Sequence, residues 1–231
     1  MPHSDSVSNN DRLVLEYLDG FITDNKRGRI DEVLGQRTRH IKMVVEDIYQ
    51  SQNASAVIRS CDCFGIQDIH SIENRNRFKI NPDVALGASK WTDVIRHNDP
   101  SVNNTTACLQ NLKDEGYRII ATSPHAQSYS LAELPIEQKF AVVLGNEREG
   151  ISEAVYELAD DFLRIPMYGF TESFNISVSG ALCLYELTKR LRESDVAWQL
   201  TEREKLDLKL KWIKRIVKRA DLLEKEFLQN L

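Results

Sequence analysis

The feature that most constrains this chain is an alternation. Short runs in which nearly every residue is apolar, such as IKMVV from Ile41 and FAVVL from Phe140, are separated by stretches whose apolar residues recur at helical spacing. A strand that is apolar on both faces has to be covered on both faces, and parallel strands need long crossovers, which helices supply. The pattern therefore predicts an α/β fold, a parallel sheet with helices on both faces. Strands are predicted over residues 41–45, 68–72, 117–122, 139–144 and 161–165, and helices over 54–64, 106–115, 149–158 and 176–192. Asn53 reads as the N-cap of the first of these helices and Gly65 as its stop. The section 73–106, polar and interrupted by Pro82, Gly87 and Pro100, reads as irregular.

Two flanking segments lie outside the alternation. Residues 11–36 carry Leu13, Val14, Tyr17, Leu18 and Phe21 at helical spacing, then Ile30, Val33 and Leu34, which predicts two short helices. Residues 193–231 contain a basic amphipathic helix with Leu206, Leu210, Ile213 and Val217 among its apolar residues, expected to run on to Phe227. The expected organisation is an N-terminal helical extension over 1–40, an α/β domain over 41–192 and the C-terminal basic helix over 193–231.

Charge and composition narrow the partners. Neither an apolar run of membrane-spanning length nor a charged-then-apolar start is present in the sequence, so no membrane partner and no export are expected. Cys61, Cys63, Cys108 and Cys183 have no zinc-ligand spacing, so no metal is expected, and a reduced, cytoplasmic chain is. The net charge of −5 is unevenly spread. Arg27, Arg29, Arg37 and Arg39 cluster near one end, and Lys209, Lys211, Lys214, Arg215, Lys218 and Arg219 near the other. Local patches matter to a polyanion more than the total does, because salt screens charge beyond about 8 Å. These ten residues are the candidate nucleic-acid contacts. The competing reading for the C-terminal helix is a solvated basic face whose apolar side packs on the domain or on a second subunit.

Three stretches carry chemistry. In FAVVLGNEREGIS a strand runs into Gly145, and a polar loop with Glu147 leads through Gly150 to a helix. Glycines at a strand end let main chain approach a ligand, and ligands of parallel sheets bind beyond the carboxyl ends of strands. The loop is neither a dinucleotide fingerprint nor a phosphate-binding GK[ST] loop. In RIPMYGFTESFNISVSGALCLYEL a strand stops at Pro166, which has no N–H for the ladder, and a helix follows, capped by Ser173 or Asn175. In NASAVIRSCDCFG, Arg59 sits among small and apolar neighbours six residues after Asn53, a place where a salt-bridged structural arginine is the plain alternative to a functional one.

In this order and spacing, over about 41–192, the three stretches resemble the three motifs of the SpoU/TrmH family of SPOUT RNA 2′-O-ribose methyltransferases. The resemblance implies a parallel sheet whose C-terminal part forms a trefoil knot, a homodimer, S-adenosylmethionine as cofactor and RNA as substrate. It assigns Asn53, Arg59, Glu147, Ser173 and Asn175 to catalysis, and Thr122, Gly145, Ile165, Met167 and Phe174 to the cofactor. The helical extensions are similar to those of the TrmH-type tRNA enzymes, which implies tRNA as partner and the D-loop guanosine at position 18 as target. A ribosomal-RNA enzyme of the same fold is the alternative, as is a noncatalytic RNA-binding protein. Two departures stand out: Ser51-Gln52 precede Asn53 where the family often has Pro-His or Pro-Phe, and Phe174 stands where leucine is common. S-adenosylmethionine already carries an activated methyl, so alignment and unmasking of a ribose oxygen are the protein's tasks. An arginine with a pKa of about 12.5 costs about 7 kcal/mol to neutralise near pH 7, which favours Arg59 as a fixed cation beside a developing alkoxide or a phosphate.

Overall fold

The strands β1 (Ile41–Glu46), β2 (Asp68–Ile72) and β6 (Phe140–Leu144) are buried at every residue, as continuous apolar runs require. The computed structural model describes residues 9–123 and 129–231. Within these the sheet also contains β3 (Asp93–His97), β4 (Arg118–Thr122), β5 (Tyr129–Ser130) and β7 (Asp161–Arg164), in the order β3-β2-β1-β6-β4-β7-β5 and parallel throughout. Central Val44 is opposite His70 on one side and Val143 on the other. Because β6 inserts between β1 and β4, the strand order reverses there, and a crevice opens beyond the carboxyl ends.

Helices α3 (Ser51–Phe64) and α7 (Ile176–Glu193) cover one face, burying Val57, Ile58, Cys183, Leu184 and Leu187 against Met43, Val45 and Val142. Helices α5 (Asn104–Asp114) and α6 (Glu153–Leu158) cover the other, burying Leu109, Leu112 and Val155 against Ile119, Ala141 and Val143. Between β2 and β3 come a short helix α4 (Pro82–Ala85) and a 3-10 turn (Ala88–Lys90). Sequence periodicity misses β3 and β5. β3 is partly exposed and carries Asp93, Arg96 and His97, so it lacks the apolar run of its buried neighbours, and β5 has two residues.

Two units emerge, Thr38–Trp198 with the sheet, and Met1–Arg37 together with Gln199–Leu231. In the second, α1 (Asn9–Asp19), α2 (Asp24–Leu34), α8 (Glu202–Ile216) and α9 (Ala220–Gln229) pack on one another. Leu18, Trp212 and Ile213 are its most buried apolar side chains, and Tyr17 stacks on Phe227 at 4.4 Å. The single C-terminal helix expected from the sequence is two: Val217 is extended and Arg219 adopts φ +58°, turning α9 back toward α1. No proline or glycine marks the break, so it is invisible to sequence rules. Among the described residues no helix is long and apolar enough to cross a membrane.

Candidate active site

The cavity beyond β4, β6 and β7 has a volume of about 310 Å³, at the low end of the roughly 300–1,000 Å³ of ligand sites. Its form comes first from Gly145. A side chain there would meet Gly150 main chain at 2.2 Å and the Ile151 nitrogen at 2.3 Å, so only glycine lets the loop close. The loop is held by reciprocal main-chain bonds between Asn146 and Gly150 (2.9 and 3.2 Å), and Asn146 Oδ1 accepts from the N–H of Arg148 and Glu149. Ser152 caps α6, and its N–H and hydroxyl both donate to buried Glu46 at the end of β1.

All five residues expected at the cofactor (Thr122, Gly145, Ile165, Met167 and Phe174) line this cavity, as do Asn53, Glu147, Ser173 and Asn175. The three motifs meet in one hydrogen-bond chain. Asn175 caps α7, its Oδ1 accepting from Ser177 N–H at 2.9 Å, while its Nδ2 donates to Asn53 Oδ1 at 3.1 Å. Asn53 Nδ2 in turn donates to Glu147 Oε1 at 2.7 Å.

Glu147 also accepts from the N–H of Tyr49 at 3.1 Å and of Gln50 at 3.5 Å. It thus satisfies main-chain donors at the start of α3, whose N-cap Gln50 supplies no side-chain cap bond. Burial pushes the Glu147 carboxyl up, but the bonds from Asn53, Tyr49 and Gln50 outweigh it and hold the group below its ordinary value. This corrects the cap assignment. Asn53 lies inside the first turn of α3, and because a carboxylate from another loop serves that end, both ends of its amide are engaged with Glu147 and Asn175.

Arg59 is not brought to the cavity. Six residues on along α3 it is turned about 240° from Asn53 and lies about 9 Å further along the axis. It is exposed, and its guanidinium has no ion pair among the described residues. Among the described residues the lining carries Glu147 and Glu172 and neither lysine nor arginine, with Leu144, Ile165, Met167 and Phe174 as apolar walls. Such a cavity favours an uncharged or cationic ligand over an anion.

The expected nucleic-acid contacts divide. Arg37 is a correction: it is buried, with its guanidinium over the Trp212 ring at 5.3 Å, and cannot meet a phosphate. Arg39 precedes β1 and pairs with Asp68 and Asp93 at the amino ends of β2 and β3, the sheet edge opposite the cavity. Arg27 pairs with Asp19 and Asp24, Arg29 with Glu32, Lys209 with Asp31, and Lys214 with Glu224. Lys211 and Arg215 are exposed on α8; Lys218 and Arg219 are exposed at the α8–α9 turn and carry no ion pair among the described residues. Sequence reasoning missed a third basic group. Arg75, Arg77 and Lys79 follow β2, and Arg148 lies over the Tyr49 ring at 4.8 Å. Both loops leave carboxyl ends of strands, on the cavity side, and the Arg75–Glu149 pair at 2.6 Å ties them together. The signal was present as the run ENRNRFK, in a section dismissed as irregular.

The chain matches the profile of the SpoU rRNA Methylase family over residues 40–185. It is 44% identical over 207 residues to the tRNA (guanosine(18)-2′-O)-methyltransferase of Borreliella burgdorferi, covering 90% of this chain and 93% of that one. To the Escherichia coli K12 protein of the same description it is 30% identical, covering 70% and 69% of the two chains. The solved A. aeolicus TrmH/SpoU tRNA modifying enzyme superposes with a TM-score of 0.72 at 29% identity, covering 84% of this chain and 98% of that one.

Proposed function

Since the chain belongs to the SpoU methylase family, we propose that it methylates the ribose 2′-oxygen of guanosine 18 in tRNA, using S-adenosylmethionine. The observation that carries this reading is the hydrogen-bond chain Glu147–Asn53–Asn175 at the mouth of the Gly145 cavity. It unites all three motifs in a chain that matches a guanosine-18 enzyme along nine-tenths of its length.

The cavity suits the cofactor. Ile165, Met167 and Phe174 offer apolar surface to an adenine, Gly145 lets main chain come close, and Glu147 and Glu172 favour a sulfonium cation. S-adenosylmethionine, when bound, supplies the activated methyl. The protein's part is alignment: Asn53 and Asn175, each fixed at both ends of its amide, present a rigid polar edge to a ribose, and Ser173 lies beside them. With the cofactor bound, the 2′-oxygen would take the methyl as the sulfonium carbon–sulfur bond breaks and leaves a neutral thioether, the hydroxyl proton would pass to water, and a nearby cation would stabilise the charge that develops on the oxygen. Arg59 is that cation in this reading, or the one that holds the adjoining phosphate.

Arg59 does not line its own chain's cavity, and a homodimer resolves this. Val178, Leu182 and Tyr185 run at helical spacing along α7, Phe174 stands just before its cap, and the four are 37 to 58% exposed. Covering such a stripe with a second copy also brings that copy alongside α3, which packs on α7 and carries Arg59. The reduced cytoplasm, where tRNA is processed, is the expected location; none of the four cysteines is in a disulfide.

The test is methyl transfer from labelled S-adenosylmethionine to a tRNA transcript, mapped by nucleoside mass spectrometry. One 2′-O-methylguanosine at position 18, absent when that residue is 2′-deoxy, is expected. Methylation of a base, or of ribosomal RNA in preference to tRNA, overturns the proposal.

A further inference from the structure

On the sheet face opposite α3 and α7, three ligating side chains converge that no sequence spacing connects. His70 on β2 and His97 on β3 stand on the same face, since His97 is opposite Ile72, two residues along from His70. Cys108 on α5 packs over them. His70 Nδ1 lies 3.0 Å from His97 Nε2 and 3.9 Å from Cys108 Sγ, and one donor atom from each residue lies within 4.8 Å of the other two. We propose that His70, His97 and Cys108 form a binding site for a divalent transition-metal ion, Zn²⁺ above all, separate from the methyl-transfer cavity.

The argument is geometric and chemical. Tetrahedral zinc, with Zn–N of about 2.0–2.1 Å and Zn–S of about 2.3 Å, needs donors about 3.3 Å apart between nitrogens and about 3.6 Å apart between nitrogen and sulfur. The observed 3.0 and 3.9 Å differ from these by about 0.3 Å, and the remaining nitrogen–sulfur separation, within 4.8 Å, closes by rotation of the Cys108 and His97 side chains. Two imidazoles and a thiolate suit zinc, whereas magnesium and calcium take oxygen ligands. His70 is 5% exposed, and Nδ1 is the ring nitrogen that it turns toward both His97 and Cys108. His97 is less buried and belongs to the edge strand, so the fourth position opens toward solvent and would hold water.

The surrounding charge tolerates the ion. Lys42 lies on this face, but its ammonium is already paired with Glu115 at 2.7 Å and Asp68 at 3.7 Å. Buried Glu46 accepts from Thr105, one turn before Cys108 on α5, and offsets the positive charge left on a zinc–thiolate centre. Binding releases the Cys108 proton to solvent. The ion ties α5 to the β2–β3 edge and takes no part in methyl transfer.

Titration of the full-length protein with Co²⁺ as probe decides the matter. One equivalent is expected to give tetrahedral ligand-field bands and a thiolate-to-cobalt charge-transfer band, both abolished by Zn²⁺. Cys108→Ser should remove the charge-transfer band. His97→Gln, on the edge strand and tolerant of substitution, should weaken Zn²⁺ binding more than about tenfold while leaving the metal-free melting temperature near that of the parent. Zn²⁺ should raise the melting temperature of the parent and of Cys63→Ser but of neither site variant. Failure to take up one equivalent, or a charge-transfer band that survives Cys108→Ser, overturns the proposal. tRNA methylation in chelator stays unchanged in every case, which separates this site from the proposed function.

Discussion

The contacts of Glu147 are the start of α3 and Asn53, so its proposed part is to position them. Glu147→Gln keeps one acceptor but turns an amide N–H₂ toward donors, at a cost of about 1–3 kcal/mol. The expected result is lower stability and a raised KM for the cofactor. The sign of the pH effect follows from the depressed carboxyl. The folded state holds the charged form more strongly than the unfolded chain does, so the stabilisation is full above the ordinary carboxylate value of 4.5 and fades as pH falls through the folded one. Urea midpoints of parent and variant should therefore differ at pH 7, and the difference should shrink as pH falls below 4.5. Arg59→Lys keeps the charge but loses the planar fork. Turnover is expected to drop at least about a hundredfold with cofactor affinity unchanged; near-normal turnover would remove Arg59 from the chemistry.

At the scale of elements, the loop between β6 and α6 depends on one missing side chain. Gly145→Ala places a methyl 2.2 Å from Gly150 main chain, so the loop must open. A loss of about 1–3 kcal/mol is expected, and cofactor affinity measured by calorimetry should fall at least about tenfold. The basic elements make opposed predictions. If Arg77 and Lys79 meet phosphates, changing both to Gln lowers the salt slope of tRNA binding by about 1.5, at roughly 0.7–0.9 per contact. Lys218→Gln with Arg219→Asn, which suits the left-handed backbone there, tests the α8–α9 turn the same way. An unchanged slope in either pair removes that element from the footprint. Legibility also varied by element. β1, β6 and the motif loops were plain from residue pattern, because burial on both faces and tight turns admit few residue types. β3 was not, because a partly exposed edge strand accepts polar residues, and the α8–α9 break was not, because Arg219 takes a left-handed conformation without a glycine.

For the whole molecule, the α7 stripe is the expected subunit contact. Leu182→Asp puts a charge at the middle of it on a side chain that is 37% exposed, so the single chain should still fold. Analytical ultracentrifugation should then show a monomer with methylation lost. A folded monomer that methylates tRNA at the parental rate would show that one copy suffices and would return Arg59 to a structural role.

The residue pattern alone determined the α/β class and the three motif loops, and the resemblance that those loops carry named the side chains around the cavity. These depend on local chemistry: apolar runs for buried strands, glycine where main chains nearly touch, Asn175 at a helix start. Only the tertiary structure decided what those side chains do to one another. Asn53 looked like a helix cap until Glu147, 94 residues away, proved to hold that helix end. Arg37 looked like a phosphate contact until Trp212 was found beneath it. His70, His97 and Cys108 had no spacing to join them, because their proximity comes from strand pairing and helix packing across a sheet. Periodicity and turn chemistry act over a few residues, whereas a buried hydrogen bond or a ligand set is made by whichever side chains the fold brings within about 3 Å.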